Sequence, residues 1–185
     1  MSPLKTPICD FGIKAKNFKL NSTDNKVISL NDIKGKNGTL IIFICNHCPY
    51  VKAVIKDIVD DCKKLKQFGI GSVAISSNDV INYPEDSFDN MIKFSKNYKF
   101  NFPYLLDETQ EIAKAYDAVC TPDFFGYNKN LELEYRGRIK ELKNLEPVKD
   151  DNSDLFKAMK QISKTGKGPK EQTPSLGCSI KWFNN

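Results

Sequence analysis

Arginine is nearly missing from this sequence. Arg136 and Arg138 are the only two, so the net charge of +5 over 185 residues comes from lysine. Nucleic-acid sites gather arginines and stacking aromatics on one face, a pattern this chain does not offer. Its lysines read as a solvated surface, and no nucleic-acid partner is expected. No stretch approaches the ~20 consecutive apolar residues that span a bilayer, so no membrane partner is expected either. Residues 1–7 carry no apolar signal core, nothing in them directs export, and a cytoplasmic location is expected. Internal repeats and low-complexity linkers are lacking, and 185 residues is the length of one domain with a sizeable core. The expected organisation is a single domain over residues 1–185, with an irregular amino-terminal segment at 1–16 and a carboxy-terminal tail at 166–185. Histidine occurs once, as His47, whereas cysteine occurs six times. Without a signal segment, those cysteines read as free or redox-active thiols rather than as a disulfide framework.

The chain is organised around residues 39–51. Residues 39–44 are a near-continuous apolar run, the pattern of a strand covered on both faces in an α/β sheet. Chemistry is expected at its carboxyl end. From Val51 onward, Val54, Ile55, Ile58, Cys62, Leu65 and Phe68 repeat at helical spacing, so Cys48 falls at a helix N-terminus. Pro49 suits the first turn because it has no N–H to leave unpaired. Unpaired N–H groups and the positive end of the helix dipole favour a thiolate, which lowers the pKa of Cys48 and raises its reactivity.

The strand, the short step and the run Asn46-His47-Cys48-Pro49-Tyr50-Val51 resemble the thioredoxin superfamily, specifically its redoxin, peroxiredoxin-like (AhpC/TSA-like) group with an N-H-C-P-Y-V motif. The resemblance runs from about Phe18 to Trp182. It implies a thioredoxin-like α/β fold: a central mixed β-sheet flanked by helices, an amino-terminal β-hairpin and a docked tail. Cys48 takes the position of the nucleophilic cysteine, and Val51 stands where the second cysteine of Cys-x-x-Cys is usually found. Cys45 and Cys48 have that spacing too, shifted three residues upstream.

Around this centre, Asn21, Ser22, Asp24 and Asn25 form a turn between extended segments at 18–20 and 27–30. Cys9, before it, reads as a minor thiol. Residues 73–77 read as a second buried strand, 84–99 as a helix, 102–106 as extended and 109–116 as a helix. Cys62, on an apolar stripe, reads as core. Residues 124–128 and 131–135 form a hairpin around Asn128-Lys129-Asn130. Arg136 and Arg138 read as surface or structural. Ser153 caps a last helix over 153–163 that turns Leu155, Phe156, Met159 and Ile162 inward. The tail, holding Cys178, Ile180, Trp182 and Phe183, is too apolar for a disordered terminus and is expected to dock. By resemblance, Thr121-Pro122 is the cis-proline pair beside the nucleophile, leaving the Thr121 backbone free to pair with an extended substrate.

Three functions are open. The first is thiol-disulfide exchange, with Cys48 attacking through a mixed disulfide and a second thiol releasing the substrate. Candidates for that thiol are Cys120, expected on the rim and ranked first, Cys178, which needs the tail to fold over, and Cys45, whose extended segment holds it beyond disulfide reach. The second is hydroperoxide reduction through a Cys48 sulfenic acid. Peroxiredoxins hold a threonine three residues before this cysteine and a peroxide-fixing arginine, where this chain has Cys45 and Pro122; that makes fast turnover unexpected. The third is a non-catalytic or metal-binding protein using Cys45, His47 and Cys48, but no second ligand pair has suitable spacing and no metal site is assigned. His47 is expected to position or tune Cys48. Partners are then a protein or small-molecule disulfide, or a hydroperoxide, and a cellular thiol reductant; no cofactor is expected. Cys48, on an exposed rim, should be the most reactive thiol.

Overall fold

The computed structural model describes residues 3–7, 10–148 and 153–183. In chain order its elements are β1 (Leu4–Lys5), β2 (Lys19–Ser22), β3 (Val27–Ser29), α1 (Leu30–Ile33), β4 (Gly38–Phe43), α2 (Pro49–Lys66) and β5 (Ile70–Ser76). There follow α3 (Phe88–Asn97), β6 (Tyr104–Leu106), α4 (Glu111–Ala115), β7 (Cys120–Thr121), β8 (Asp123–Asn128) and β9 (Leu133–Tyr135). The chain ends with β10 (Leu142–Lys143), β11 (Glu146–Pro147), α5 (Asp154–Thr165) and β12 (Leu176–Ser179).

Seven strands form the main sheet in the order β3-β2-β6-β5-β4-β8-β9. β4 is in the interior, parallel to β5 and antiparallel to β8, with Ile41 opposite Val73 on one side and Phe125 on the other. Every residue of β4 is buried, as its unbroken apolar run requires. Successive side chains take opposite faces. Leu40, Ile42 and Ile44 meet α2, α3 and α5, while Ile41 and Phe43 meet Leu30, Ile33 and Ala113 from α1 and α4. Each such buried side chain contributes about 1.5–3 kcal/mol of transfer free energy, so this strand anchors both layers. The sheet between two helical layers is the thioredoxin-like architecture that the resemblance implies.

A smaller sheet has the order β1-β12-β7. It joins the amino-terminal segment, the tail and the residues just before Pro122. Residues 1–16, expected to be irregular, therefore contribute a strand, because the Leu4–Lys5 backbone finds a partner in the tail. The tail docks mainly through this pairing and through Ile180, which is buried, while Trp182 and Phe183 stay 38% and 37% exposed.

Other boundaries shift for local reasons. The segment expected to be extended over 27–30 stops at Ser29, and Leu30–Ile33 form α1, closed by a capping box between Ser29 and Asp32. The helix expected over 84–99 is broken at Ser87, whose backbone is extended; a single 3-10 turn, Pro84–Asp86, precedes α3 and aims Asp86 inward. Ser153 caps α5 as expected, accepting the Phe156 N–H at 3.0 Å. Of the two readings for Arg136, surface or structural, the second holds: it is buried, 3.0 Å from Asp123, with its guanidinium over the Phe125 ring at 4.5 Å. Cys9 lies outside the described residues. No helix among the described residues is long and apolar enough to cross a membrane.

Candidate active site

Beyond β4 the chain turns through Cys45, Asn46 and His47 before Cys48 caps α2, with Pro49 in the first helical turn. One buried carboxylate holds the turn. Asp86 Oδ1 accepts the backbone N–H groups of Asn46 and His47 at 2.7 and 3.2 Å, and its Oδ2 meets His47 Nδ1 at 2.6 Å and the Asn78 amide at 2.7 Å. The Asn46 side chain donates to Glu85 O and accepts from the Tyr104 hydroxyl. The His47 ring stacks on Tyr83 with centroids 5.6 Å apart. The Asp86 hydrogen bond holds His47 above the usual imidazole pKa, against its partial burial. Burial alone would raise Asp86, but the bonds from His47 and Asn78 outweigh it and leave this carboxyl below its ordinary value.

Cys48 is fully buried, not on an exposed rim. Its Sγ is 3.1 Å from the Thr121 carbonyl oxygen, a contact that a thiol makes as donor and a thiolate cannot make. Once ionised, the sulfur must rely on other donors. The Cys45 thiol is the largest of these, followed by the Cys178 thiol and the Thr121 side chain, and together they overcome burial to lower the Cys48 pKa to about 5. Its side chain closes no cap hydrogen bond, and the Val51 N–H contributes least among the named causes. Neighbouring thiols thus add to the acidity expected from the helix N-terminus. Cys45, 3.4 Å from the Thr121 hydroxyl and 3.9 Å from His47 Nδ1, is held well above the usual thiol range by that same bond to Cys48 and then by burial. Of the two thiols, Cys48 is the more acidic.

The Thr121-Pro122 bond is cis. The Thr121 edge, expected to be open to a substrate strand, is occupied by the chain's own tail: β12 runs antiparallel to β7 with Cys178 opposite Thr121 and Ser179 opposite Cys120. This register brings the Cys178 thiol to Cys48 and to the Tyr50 N–H, although the two residues are far apart in the chain. Burial, then the bond to Cys48, pushes Cys178 up to about 12. Cys120 is not on the rim. It is fully buried, its thiol is turned to Pro122 O at 3.6 Å, and burial raises its pKa strongly. Thus, among the described cysteines, those in hydrogen-bonding reach of Cys48 are Cys45 and Cys178; Cys120, ranked first by sequence, is not one of them. Cys62 faces the core, where burial pushes it up to about 12.

Cys45, His47 and Asp86 bring three potential donor atoms within 4.8 Å of one another. The Asp86 oxygens already accept four hydrogen bonds, one of them shared with His47 Nδ1, so this arrangement orients the imidazole.

Residues 11–142 match the family described as AhpC/TSA. The chain belongs to the AhpC/TSA family. The chain is 32% identical over 117 residues to the thiol-disulfide oxidoreductase ResA of Bacillus subtilis, a match covering 63% of this chain and 61% of ResA. It is 27% identical over 115 residues to the chloroplastic peroxiredoxin Q of Oryza sativa subsp. japonica, covering 62% of this chain and 48% of that protein. The chain thus spans less than two thirds of the length of these curated relatives. Over its whole length it is similar to the crystal structure of an uncharacterized conserved protein from Geobacillus kaustophilus, at 40% identity and a TM-score of 0.94, covering 98% of that chain.

Sequence reading of this AhpC/TSA chain found Cys48, His47 and Pro49 because they are contiguous. It missed Asp86, Asn78 and Tyr104, which lie on separate elements and form no motif. Nor did it single out Gly177, where an added Cβ would lie 2.2 Å from Thr121 O. A glycine immediately before a cysteine in an apolar tail is the one local signal that was available.

Proposed function

We propose that the chain is a thiol-disulfide oxidoreductase of the redoxin type, with Cys48 as nucleophile. One observation carries the reading: the Cys48 sulfur stands at the start of α2, 3.1 Å from the Thr121 carbonyl, and β12 sets Cys178 opposite Thr121, so a second thiol lies beside a cysteine whose pKa its neighbours lower to about 5. The ResA match supports it. In the reaction, the Cys48 thiolate attacks one sulfur of a disulfide, the S–S bond breaks, and half of the substrate leaves as a thiolate. A second cysteine of the chain then attacks the Cys48 sulfur and releases the other half. The resulting protein disulfide is reduced by two electrons from a cellular thiol reductant, as the cytoplasm provides.

The peroxiredoxin Q match supports hydroperoxide reduction as a second reading. Against rapid turnover of that kind, both arginines are committed elsewhere, Arg136 to Asp123 and Arg138 to Asp154, and neither guanidinium is paired with Cys48. The deciding experiment runs insulin reduction and hydroperoxide consumption in parallel on wild type and Cys48→Ser. Insulin turnover that vanishes in the variant is expected. Consumption of peroxide with no insulin turnover favours the second reading, and equal activity in both proteins removes Cys48 from the mechanism.

A further inference from the structure

We propose that β12 is a self-docked strap whose Cys178 resolves the mixed disulfide on Cys48, so that the strap opens to admit substrate and recloses to expel it. The inference rests on Cys48 being the nucleophile.

Four observations converge. Cys48 has no exposed surface, and the residues across the Thr121 edge from it belong to β12; no external disulfide reaches its sulfur while that strand is docked. Among the five described cysteines, Cys178 alone is partly exposed. Gly177 lies so close to Thr121 that a Cβ would sit 2.2 Å from its carbonyl oxygen and 2.6 Å from its carbonyl carbon, so only glycine lets the strand approach enough to bring the next sulfur onto Cys48. Finally, the strap is tied down at both ends. Before it, Ser175 exchanges hydrogen bonds with Thr6 and donates to Pro122 O; after it, Lys181 N–H donates to Asn78 and Lys181 O accepts from the Asp79 N–H. The segment free to lift is therefore short; β1, paired at Leu4 with Gly177 and at Lys5 with Leu176, moves with it, and it returns to one register.

The chemistry follows in balanced steps. With the strap lifted, Cys48 attacks the substrate disulfide and half of the substrate leaves as a thiolate. Redocking brings Cys178 back to the Cys48 sulfur; Cys178 gives up its proton and attacks, the Cys48–substrate bond breaks, and the remaining thiolate departs protonated. Two protein thiols are oxidised to Cys48–Cys178 while one substrate disulfide becomes two thiols. Reduction starts at Cys178, the exposed sulfur: a dithiol attacks there and expels Cys48, whose low pKa makes it the better leaving group. Asn78 links strap and site, because it holds Lys181 through its carbonyl and Asp86 through its amide.

The test treats the full chain with one equivalent of hydroxyethyl disulfide and maps disulfides by peptide mass. Wild type should give Cys48–Cys178, and Cys178→Ser should accumulate a hydroxyethyl adduct on Cys48. Gly177→Ala, checked for folding by its thermal transition, should undock the strap. Its Cys48 should react with iodoacetamide roughly tenfold faster, the change in an opening equilibrium that ~1.4 kcal/mol produces. The apparent pKa of Cys48 should also rise, since the Cys178 donor is lost; a purely structural role for Gly177 predicts no such change. A disulfide mapped to Cys45 or Cys120, or release of the adduct by Cys178→Ser at the wild-type rate, overturns the strap while leaving Cys48 as nucleophile. Failure of hydroxyethyl disulfide to modify Cys48 in any protein removes the nucleophile itself. Should Gly177→Ala not fold, the wild-type map still decides.

Discussion

The Asp86 carboxylate takes both the backbone N–H and the ring nitrogen of His47, at 3.2 and 2.6 Å, and so fixes the orientation of the only imidazole in the chain. The raised pKa of His47 and the lowered pKa of Asp86 are two sides of this contact.

Their pH dependence has opposite signs. The Asp86 contribution to stability is present above its unfolded value of 3.8 and is lost as pH falls through the lower folded value; that of His47 is full below 6.5 and is lost as pH rises through its raised folded value. The pair therefore stabilises most between about pH 4 and 6.5. In Asp86→Asn, the single imidazole should titrate closer to the ordinary histidine value in an NMR pH series. An unchanged titration curve would mean that Asp86 does not set the charge of His47.

Cys48 should be the first thiol to alkylate, although it is buried. With Cys178 pushed up to about 12 and Cys48 lowered to about 5, Cys48 carries far the larger thiolate fraction at pH 7, so even infrequent opening of the strap lets it react first. The iodoacetamide rate at Cys48 should be level near pH 7 and fall as pH drops through about 5. Cys45→Ala should move that midpoint upward by more than Cys178→Ala does, because Cys45 is the larger cause. Peptide mapping of a time course that finds Cys120 or Cys178 labelled well before Cys48 would contradict this order.

Arg136 and Asp123 form a buried ion pair, with side chains 2% and 0% exposed. Removing the guanidinium leaves a carboxylate in the core, so Arg136→Met should cost about 3–5 kcal/mol in urea unfolding. Asp123→Asn in the same chain should recover part of that loss. A single substitution within ~1 kcal/mol of wild type would show that water reaches the pair.

The local grammar of the fold was legible in the sequence. A short apolar run rich in β-branched residues fits a strand covered on both sides, and β4 is that strand. The stripe from Val51 to Leu65 and the Cys48-Pro49 start fixed α2, and Ser153 fixed the start of α5, because periodicity and capping act within a few residues. The identity of the nucleophile followed from the same short range, together with the resemblance of its motif.

Tertiary structure decided how that nucleophile is set. Pairing of β12 with β7 joins Cys178 to Thr121 through backbone hydrogen bonds, which no side-chain pattern announces, and this contact covers a sulfur that sequence reading left open. Asp86 reaches His47 only because Ser87 breaks what the apolar spacing reads as one helix. The first-ranked cause of the Cys48 acidity is the Cys45 thiol, brought to it in three dimensions, and beside it acts the Val51 N–H of the helix start, the part visible in the chain. Sequence alone determined which sulfur begins a helix; only the packed structure determined which thiols donate to it and what must move before it reacts, since those are relations between backbones and sulfurs remote along the chain.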